Sequence, residues 1–404
     1  MAVGNLVHGM WLRDFPKANL TVIALVCLVL LAVLRKRVKK DPRGVGALVL
    51  VCLSFCPGFL FPALNASAHD KRTAIVAVVL ASLVIAYWSV GGRSIGVGLS
   101  SALILGAVFI LAGQLLHPAA DELALGRRTP DGVNAIGAGR ELGVAAICTT
   151  WLMLRASKWT LRLSMGALLG CMAVGLVATG SRGPASATVV GCIVLLLASR
   201  DLPRVARVAL ASVAVAVVAY SFIELSSAGS RITTDSDSGR RALLKATLGV
   251  ASQHPWGIGW GNLYNYLPNY AIDSEQGLKQ YPHNLLAESL TEAGLVGVAL
   301  LVASLIVVFV RARRSQTSDA PLLLALLTAA FAGSMLSSDV IGNQLMWVLI
   351  GVSLGTTSWI RHGPARLGSH VVERSPARFI RRFEDRESSA APQRRRRGPH
   401  PRSR

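Results

Sequence analysis

Residues 285–302 read LLAESLTEAGLVGVALLV, an apolar segment that a polar loop enters through Tyr281-Pro282-His283-Asn284. The chain has 404 residues, 52% of them hydrophobic, and a mean hydropathy of +0.50. Apolar runs of about 18–20 residues recur along it and match a bilayer core of about 30 Å. The runs do not alternate in polarity as barrel strands do, and backbone groups in lipid must pair within the chain. We therefore predict an all-α, polytopic membrane bundle.

The apolar runs predict about eleven membrane spans, with a range of about ten to twelve. They lie near 18–34, 44–62, 73–90, 95–116, 141–155, 162–179, 184–199, 205–225, 285–310, 320–338 and 340–360. When the spans alternate, the Lys/Arg-rich connections and the basic tail fall on one side, which the positive-inside rule makes cytoplasmic. The N-terminus and the 117–140 and 226–284 loops then lie outside. An outside N-terminus is unusual for such a chain and leaves room for one miscounted span.

Four regions follow from this pattern. Residues 1–225 form an N-terminal transmembrane bundle, and 226–284 form one long extracytoplasmic loop with a short helix near 240–252. Residues 285–360 form C-terminal transmembrane helices. The tail 361–404 is rich in Arg, Pro and Ser, so we expect it to be disordered or associated with lipid. A polar loop this long is uncommon unless it serves a function.

The net charge of +21 is gathered in short loops and in the tail, which indicates anionic membrane lipids as partners. No basic stripe with interleaved aromatic residues supports nucleic acid as a partner. All 6 cysteines fall in apolar runs, so we predict no disulfide and no metal site. We also expect no cofactor.

Arg182 lies in a Ser-Arg-Gly-Pro turn between two spans, and Pro184 suits the first position of the next helix. An arginine beside a helix N-terminus favours a phosphate group, because free N–H groups and the helix dipole attract an anion. An arginine that reaches back to the membrane interface fits the turn equally well. Arg240 and Arg241 point in different directions on a helix, so at most one faces a shared site. A solvated pair balanced by nearby aspartates explains them as well.

His283 stands at the mouth of the bundle, where Pro282 disfavours helical geometry before it and Asn284 can cap the next span. A neutral imidazole can accept a proton at physiological pH. A merely interfacial histidine is the alternative. Glu288 and Glu292 lie one helical turn apart near lipid, which suggests a partner or a function. Tyr281, Asn284 and Glu292 are candidates for acceptor binding or for support.

The 254–270 loop sequence, HPWGIGWGNLYNYLPNY, carries alternating glycines that fit a tight re-entry at the membrane surface. They are not a dinucleotide fingerprint, since no strand precedes them. The tyrosines of the long loop are explained by an aromatic belt at the interface, and sugar stacking would explain them too.

The order SRG (181–183), GR (239–240) followed by HPWGIGWGN, and PHNLLAESLTEAGLVG (282–297) resembles the O-antigen ligase and O-antigen polymerase superfamily of bacterial membrane glycosyltransferases. The resemblance covers about the second half of the chain. It implies a metal-independent enzyme that moves a glycan from an undecaprenyl-pyrophosphate carrier to an acceptor hydroxyl outside the membrane. It also implies that His283 is the catalytic base and that Arg182 and Arg240 bind pyrophosphate. Arg241 departs from the family's single arginine, so either of the two could face the site.

Within this class the abundance of Arg, Ala and Val hints at a high-GC genome and favours a polymerase of repeat units for surface or secreted polysaccharide. Other polysaccharide-assembly proteins are further expected partners. An O-antigen-type ligase or a protein O-oligosaccharyltransferase is the alternative within the class. A transporter of polysaccharide or lipid carrier is a second class, but it needs ionisable groups near the bilayer midplane. A scaffold that recruits other enzymes through its basic tail is a third.

Overall fold

The computed structural model describes residues 42–90, 95–124, 126–199, 203, 233–267, 282–315, 317–337 and 339–357. They belong to the first of two units, Met1–Arg361, and the second unit, His362–Arg404, lies outside the described residues. The predicted spans near 18–34 and 205–225, Tyr281 and the side chains of Arg240 and Arg241 also lie outside them.

The described residues are helical, and no strand occurs among them. The helices are α1 (Pro42–Leu53), α2 (Cys56–Phe59), α3 (Ala66–Ala74), α4 (Ala81–Ser89), α5 (Ile95–Leu116), α6 (Ala120–Ala124), α7 (Ala135–Arg155), α8 (Trp159–Ala178), α9 (Arg182–Ala198), α10 (Thr233–Gln253), α11 (Leu263–Tyr266), α12 (Leu285–Arg314), α13 (Ala320–Ser337) and α14 (Gln344–Thr357). A π-helical segment, Ile75–Leu80, joins α3 to α4.

Within these ranges, 6 helical segments are long and apolar enough to cross a membrane. They are Pro42–Phe59, Ala66–Ser89, Ile95–Leu116, Trp159–Ala178, Leu285–Arg314 and Ala320–Ser337; the apolar helices Arg182–Ala198 and Gln344–Thr356 are shorter. The all-α polytopic membrane prediction is confirmed, although the described part of the chain does not fix the number of spans.

Successive helices run back and forth, so their connections gather at two ends of the bundle. One end, which we call the long-loop end, holds residues 60–65, 117–134, 179–181, 254–267, 282–284 and 339–343. Hydrogen bonds join these connections to one another and to neighbouring helix ends, as between Leu64 N and Asn262 Oδ1 (3.0 Å) and between Arg128 N and the Ala178 carbonyl (2.7 Å). The other end, which we call the short-turn end, holds residues 156–158 and 315–319. There Arg155 donates to the Ser318 carbonyl at 2.9 Å.

Several helices begin earlier or later than the hydropathy pattern predicts. Helix α7 begins at Ala135 rather than near 141, because the Asn134 side chain caps it by accepting from Ile136 N at 2.8 Å. Its first turns carry charged side chains, which lower the local hydropathy without ending the helix. Helix α10 likewise begins at Thr233, before the predicted 240.

The connection between the last two described helices is longer than predicted. Helix α13 ends at Ser337 and α14 begins at Gln344, so the predicted start of a span at 340 is wrong. The intervening backbone is held by polar contacts instead. Asn343 donates to the Ala330 carbonyl at 3.1 Å, and the Trp347 indole donates to the Val340 carbonyl at 2.8 Å.

Small residues bring α9 and α13 close together. A Cβ on Gly191 would lie 2.8 Å from the Ala329 Cβ, so no larger side chain fits there without movement. Close approach at small residues is the usual way in which membrane helices pack. This contact packs the middle of α9 against the middle of α13.

Candidate functional site

His283 occupies a fixed and unusual backbone position at the start of α12. Its φ is 50°, the one non-glycine residue with positive φ among the described residues, and its side chain is half-buried. Histidine is among the residues that adopt this conformation more readily, yet the conformation still costs free energy and clusters at functional sites. The predicted cap is confirmed, since the Asn284 side chain accepts from Ala287 N at 3.0 Å. The same side chain donates to the Met335 carbonyl at 3.3 Å.

The Ser-Arg-Gly-Pro turn lies between α8 and α9. Gly180 turns the chain with φ 63°, and α9 then begins at Arg182, so Pro184 occupies the third helical position rather than the predicted first. Arg182 is half-buried. A Cβ on Gly183 would lie 3.0 Å from the Ser337 Oγ, so the turn packs directly against the last turn of α13.

The two motifs meet through α13, although about a hundred residues separate them in sequence. Asn284 contacts Met335, and Gly183 contacts Ser337 two residues later. The last turn of α13 is therefore shared by the turn that carries Arg182 and by the cap that follows His283. The structure brings these two predicted site residues to the same end of the bundle.

Helix α10 lies against α12 at this end, where the Thr291 hydroxyl donates to the Thr247 carbonyl at 3.2 Å. Its buried face includes Leu243, Thr247 and Val250, whereas Lys245 and Leu248 are exposed. With 3.6 residues per turn, position 240 shares the face of 243 and 247, and position 241 shares the face of 245 and 248. By this register, position 240 lies on the face of α10 that packs on α12, and position 241 lies on the exposed face.

A buried ion cluster, which the sequence did not reveal, lies beneath His283. Lys71 of α3 contacts Glu288 at 2.5 Å and Glu292 at 2.6 Å, and all three side chains are at most 3% exposed. The second oxygen of Glu288 accepts from Val340 N at 2.9 Å, and Glu292 accepts from Leu263 N at 3.4 Å. The cluster thus ties α12 to α3, to the 254–267 loop and to the 339–343 connection.

The cluster bears on the roles predicted for the two glutamates. Both carboxylates are engaged inside the protein, which favours support over acceptor binding for Glu292. No local signal could identify Lys71 as the partner, because 217 residues separate it from Glu288. The one available clue is that two carboxylates on an apolar helix require a cation or protons when they are buried.

The 254–267 loop repairs a kink in α12. Gly294 has φ 73° and ψ −175°, which interrupts the helical hydrogen bonds around it. Ile258 N and Gly259 N donate instead to the carbonyls of Thr291 and Glu292, at 3.1 and 2.9 Å. The loop glycines Gly257, Gly259 and Gly261 have φ of 94°, 88° and 86°, so the loop turns tightly at each of them, and its re-entry at the membrane surface stays a prediction.

The aromatic residues of that loop divide between core and surface. Trp260 is 1% exposed and its indole donates to the Phe55 carbonyl at 2.8 Å, so it belongs to the core and not to the membrane surface. Tyr264 is also buried, which contradicts the aromatic-belt interpretation for this residue, whereas Trp256 and Tyr266 are exposed. His254 packs edge-on against Tyr266.

Arg140 is a further residue of the long-loop end that sequence reasoning missed. It donates to the carbonyls of Gly342, at 3.1 Å, and Ser337. It therefore holds the 339–343 connection against the start of α7. The hydropathy pattern placed this arginine in an outer loop, and only the early start of α7 brings it into the bundle. Among the described residues, no three His, Cys, Asp or Glu side chains form a metal-binding group, and the absence of a metal or cofactor stays a prediction.

A family model described as O-antigen ligase matches residues 167–302. The matched segment contains the Ser-Arg-Gly turn, helix α10, the 254–267 loop and His283, and it confirms the resemblance to the O-antigen ligase superfamily over that segment. No curated protein matches the chain. The family match and the apolar helices indicate a multi-pass protein of the cytoplasmic membrane with an O-antigen ligase-type function in glycan transfer.

Proposed function

We propose that the chain polymerises or transfers an undecaprenyl-pyrophosphate-linked glycan onto an acceptor hydroxyl at the outer face of the cytoplasmic membrane. The observation that carries this proposal is the meeting of two motifs at the end of α13. Gly183 packs on Ser337, and Asn284 donates to the Met335 carbonyl, so Arg182 and His283 share one end of the bundle.

The proposed reaction uses His283 as a general base. Its imidazole accepts the proton of the acceptor hydroxyl while the hydroxyl oxygen bonds to the anomeric carbon of the donor sugar. A placed base typically contributes about 10²–10⁴-fold to such a step. The bond from the anomeric carbon to the pyrophosphate oxygen breaks at the same time, and undecaprenyl pyrophosphate leaves. Direct displacement inverts the anomeric centre, which linkage analysis of donor and product would test.

The leaving pyrophosphate gains negative charge, and the arginine guanidinium groups stabilise that charge. Arg182 lies in the first turn of α9, where the free N–H groups and the helix dipole also favour an anion. Guanidinium groups form charge-assisted, often bidentate hydrogen bonds to phosphate. Arg240 supplies the second guanidinium, since helix register puts position 240 on the face of α10 that packs on α12. Arg241 is the alternative.

The long-loop end is the proposed extracytoplasmic face, with the basic tail in the cytoplasm. The short turns at the other end carry Arg155, Lys158, Arg313 and Arg314, which agrees with the positive-inside rule. We propose anionic lipids as partners of the tail and other polysaccharide-assembly proteins as partners of the enzyme.

Polymerase and ligase activities differ only in the acceptor. The proposal prefers polymerisation of repeat units, and an O-antigen-type ligase or protein O-oligosaccharyltransferase is the alternative. The deciding experiment incubates purified protein with a lipid-linked oligosaccharide and sizes the products. A ladder of multiples of the repeat unit supports the polymerase. A single transfer to an added acceptor supports the ligase, and unchanged substrate contradicts both.

A transporter of lipid carrier or polysaccharide is a second candidate, favoured by the buried ion cluster. Lys71, Glu288 and Glu292 are ionisable groups inside helices that are long enough to span a membrane. Buried charges of this kind often mark transport pathways. The cluster lies within the first two or so turns of α12, near one membrane face and not at the midplane. Movement of a radiolabelled carrier in liposomes that survives His283→Ala would favour the transporter.

A further inference from the structure

A cavity of about 120 Å³ lies between α7, α9, α13 and the start of α14. Its walls are mostly small or apolar and include Val144, Pro184, Ala187, Ala330 and Leu345. Pro184 lies two residues after Arg182, so the cavity adjoins the turn that is proposed to bind pyrophosphate.

Two hydrogen-bond donors on residues that line this cavity are buried without a partner among the described residues. They are the Nε of Arg140 and the side-chain nitrogen of Gln344, and both residues line the cavity. Buried donors that lack an acceptor are costly and uncommon, so each calls for an explanation. Two of them in one cavity point to a ligand that brings oxygen atoms.

The charges around the cavity argue against a bare anion as that ligand. Glu141 lines the same cavity. The carboxylates of Asp339 and Glu141 both attract the Arg140 guanidinium electrostatically. The two other nitrogens of Arg140 already donate to the carbonyls of Gly342 and Ser337. The cavity therefore offers two N–H donors, a carboxylate acceptor and apolar walls. A ring that carries hydroxyl groups matches this set, because each hydroxyl both donates and accepts.

We infer that Arg140 and Gln344 bind the saccharide part of the lipid-linked glycan, beside the pyrophosphate held at Arg182. The inference rests on the proposed function for the identity of the substrate and deepens it by assigning a sugar subsite. Arg140 and Gln344 lie outside the segment that matches the O-antigen ligase family.

The test is a binding measurement on the purified full-length chain with Gln344→Met. This substitution keeps the side-chain length and removes the two N–H donors of the Gln344 amide. One probe is the lipid-linked repeat unit extracted from cells that lack the chain, and the other is undecaprenyl pyrophosphate without sugar. The dissociation constant for the glycosylated probe should rise about tenfold, as expected for lost hydrogen bonds to a ligand, and that for the bare carrier should not change. Gln344→Glu, which replaces a donor by an acceptor, should act in the same direction.

Gln114→Met is the matched control. Gln114 is also a buried glutamine, but its side chain donates to the carbonyls of Arg128 and Gly175 at 2.9 and 3.2 Å. This variant should lose thermal stability and keep the wild-type preference for the glycosylated probe. Gln344→Met should keep its stability, because no protein acceptor is lost.

Each remaining outcome is decisive. Equal weakening of both probes by Gln344→Met would overturn the saccharide subsite in favour of phosphate binding, and unchanged binding of both would show that the cavity holds no substrate. If Gln344→Met weakens binding of the glycosylated probe alone, the subsite is supported. If the wild-type protein also performs no transfer, the proposed transfer reaction is contradicted while the subsite stands. The two proposals therefore fail separately.

Discussion

The long-loop end and the short-turn end of the bundle both join helices, but their connections are built differently. At the short-turn end, α7 and α8 are joined by residues 156–158, and Arg155 stacks 4.8 Å from the centre of the Trp151 ring. At the long-loop end, the connections are hydrogen-bonded to one another and to neighbouring helices. The 254–267 loop bonds to the kink in α12, and Arg140 and the Lys71 cluster hold the 339–343 connection.

The difference indicates where function lies. Short basic turns need only satisfy helix ends and set orientation, so their positive charges serve topology. The long-loop end instead buries the Lys71–Glu288–Glu292 ion cluster and holds His283 with positive φ. Such arrangements cost stability and persist where a site requires them. Substitutions in the site at the long-loop end should therefore have larger effects than matched substitutions outside it.

The largest effect is expected for His283→Ala. Loss of a general base should lower the rate of glycan transfer by about 10²–10⁴-fold. His254→Ala is the control, because His254 lies in the same region but packs on Tyr266. Initial rates on equal amounts of purified, membrane-inserted protein check the prediction. Transfer at the wild-type rate by His283→Ala would refute the role of base.

Arg182→Ala should follow, with a loss of about 10²–10³-fold, the usual effect of removing a group that stabilises developing charge. Arg182→Lys should restore only part of the rate, since an ammonium cannot donate to phosphate in a bidentate manner. Arg155→Ala at the short-turn end should leave the rate almost unchanged. A comparable loss for Arg155→Ala would remove the contrast between the two ends.

Lys71→Met should mainly lower the stability of the fold, and its effect on the transfer reaction should follow from that loss. It leaves two carboxylates buried without their cation, and breaking a buried ion pair costs about 3–5 kcal/mol. The thermal midpoint in detergent should fall clearly, whereas Lys158→Met at the short-turn end should leave it almost unchanged. Adding Glu292→Gln to Lys71→Met should restore part of the stability, because one unpaired carboxylate is removed. A double variant no better than the single one would argue against the ion cluster.

Arg240→Ala and Arg241→Ala should differ in their rates of glycan transfer, and the expected losses of rate are the smallest of the series. Helix register puts position 240 with buried Leu243 and Thr247, and position 241 with exposed Lys245. Arg240→Ala should lower the transfer rate about tenfold, as for one lost charge-assisted contact, and Arg241→Ala should have little effect. The reverse order would place Arg241 in the site and contradict the register argument.

Much of the fold could be predicted because it depends on local signals. Apolar runs gave the class and most described spans, and the Asn284 cap followed from its position after Pro282. Local signals failed where charge and helix coincide. Arg140 and Glu141 lower the hydropathy at the start of α7, so the helix was predicted to begin at 141 when Asn134 caps it at 135.

Features that depend on distant partners were not predictable in the same way. Lys71 finds its carboxylates 217 and 221 residues later in the chain. The Trp260 indole bonds to the Phe55 carbonyl, 205 residues earlier, and lies in the core. Their neighbours in sequence do not encode these partners. The order of the Arg182 and His283 motifs suggested a common site, but only the shared contact with α13 brings them together.

The most direct test is accessibility labelling of single cysteines in a chain whose 6 native cysteines are replaced. Ser181→Cys and His283→Cys are exposed to a membrane-impermeant maleimide in intact cells, beside Lys158→Cys. The account predicts that the first two react from outside and that Lys158→Cys reacts only after the membrane is permeabilised. Reaction of Ser181→Cys and His283→Cys from opposite sides of the membrane would contradict a shared outer site.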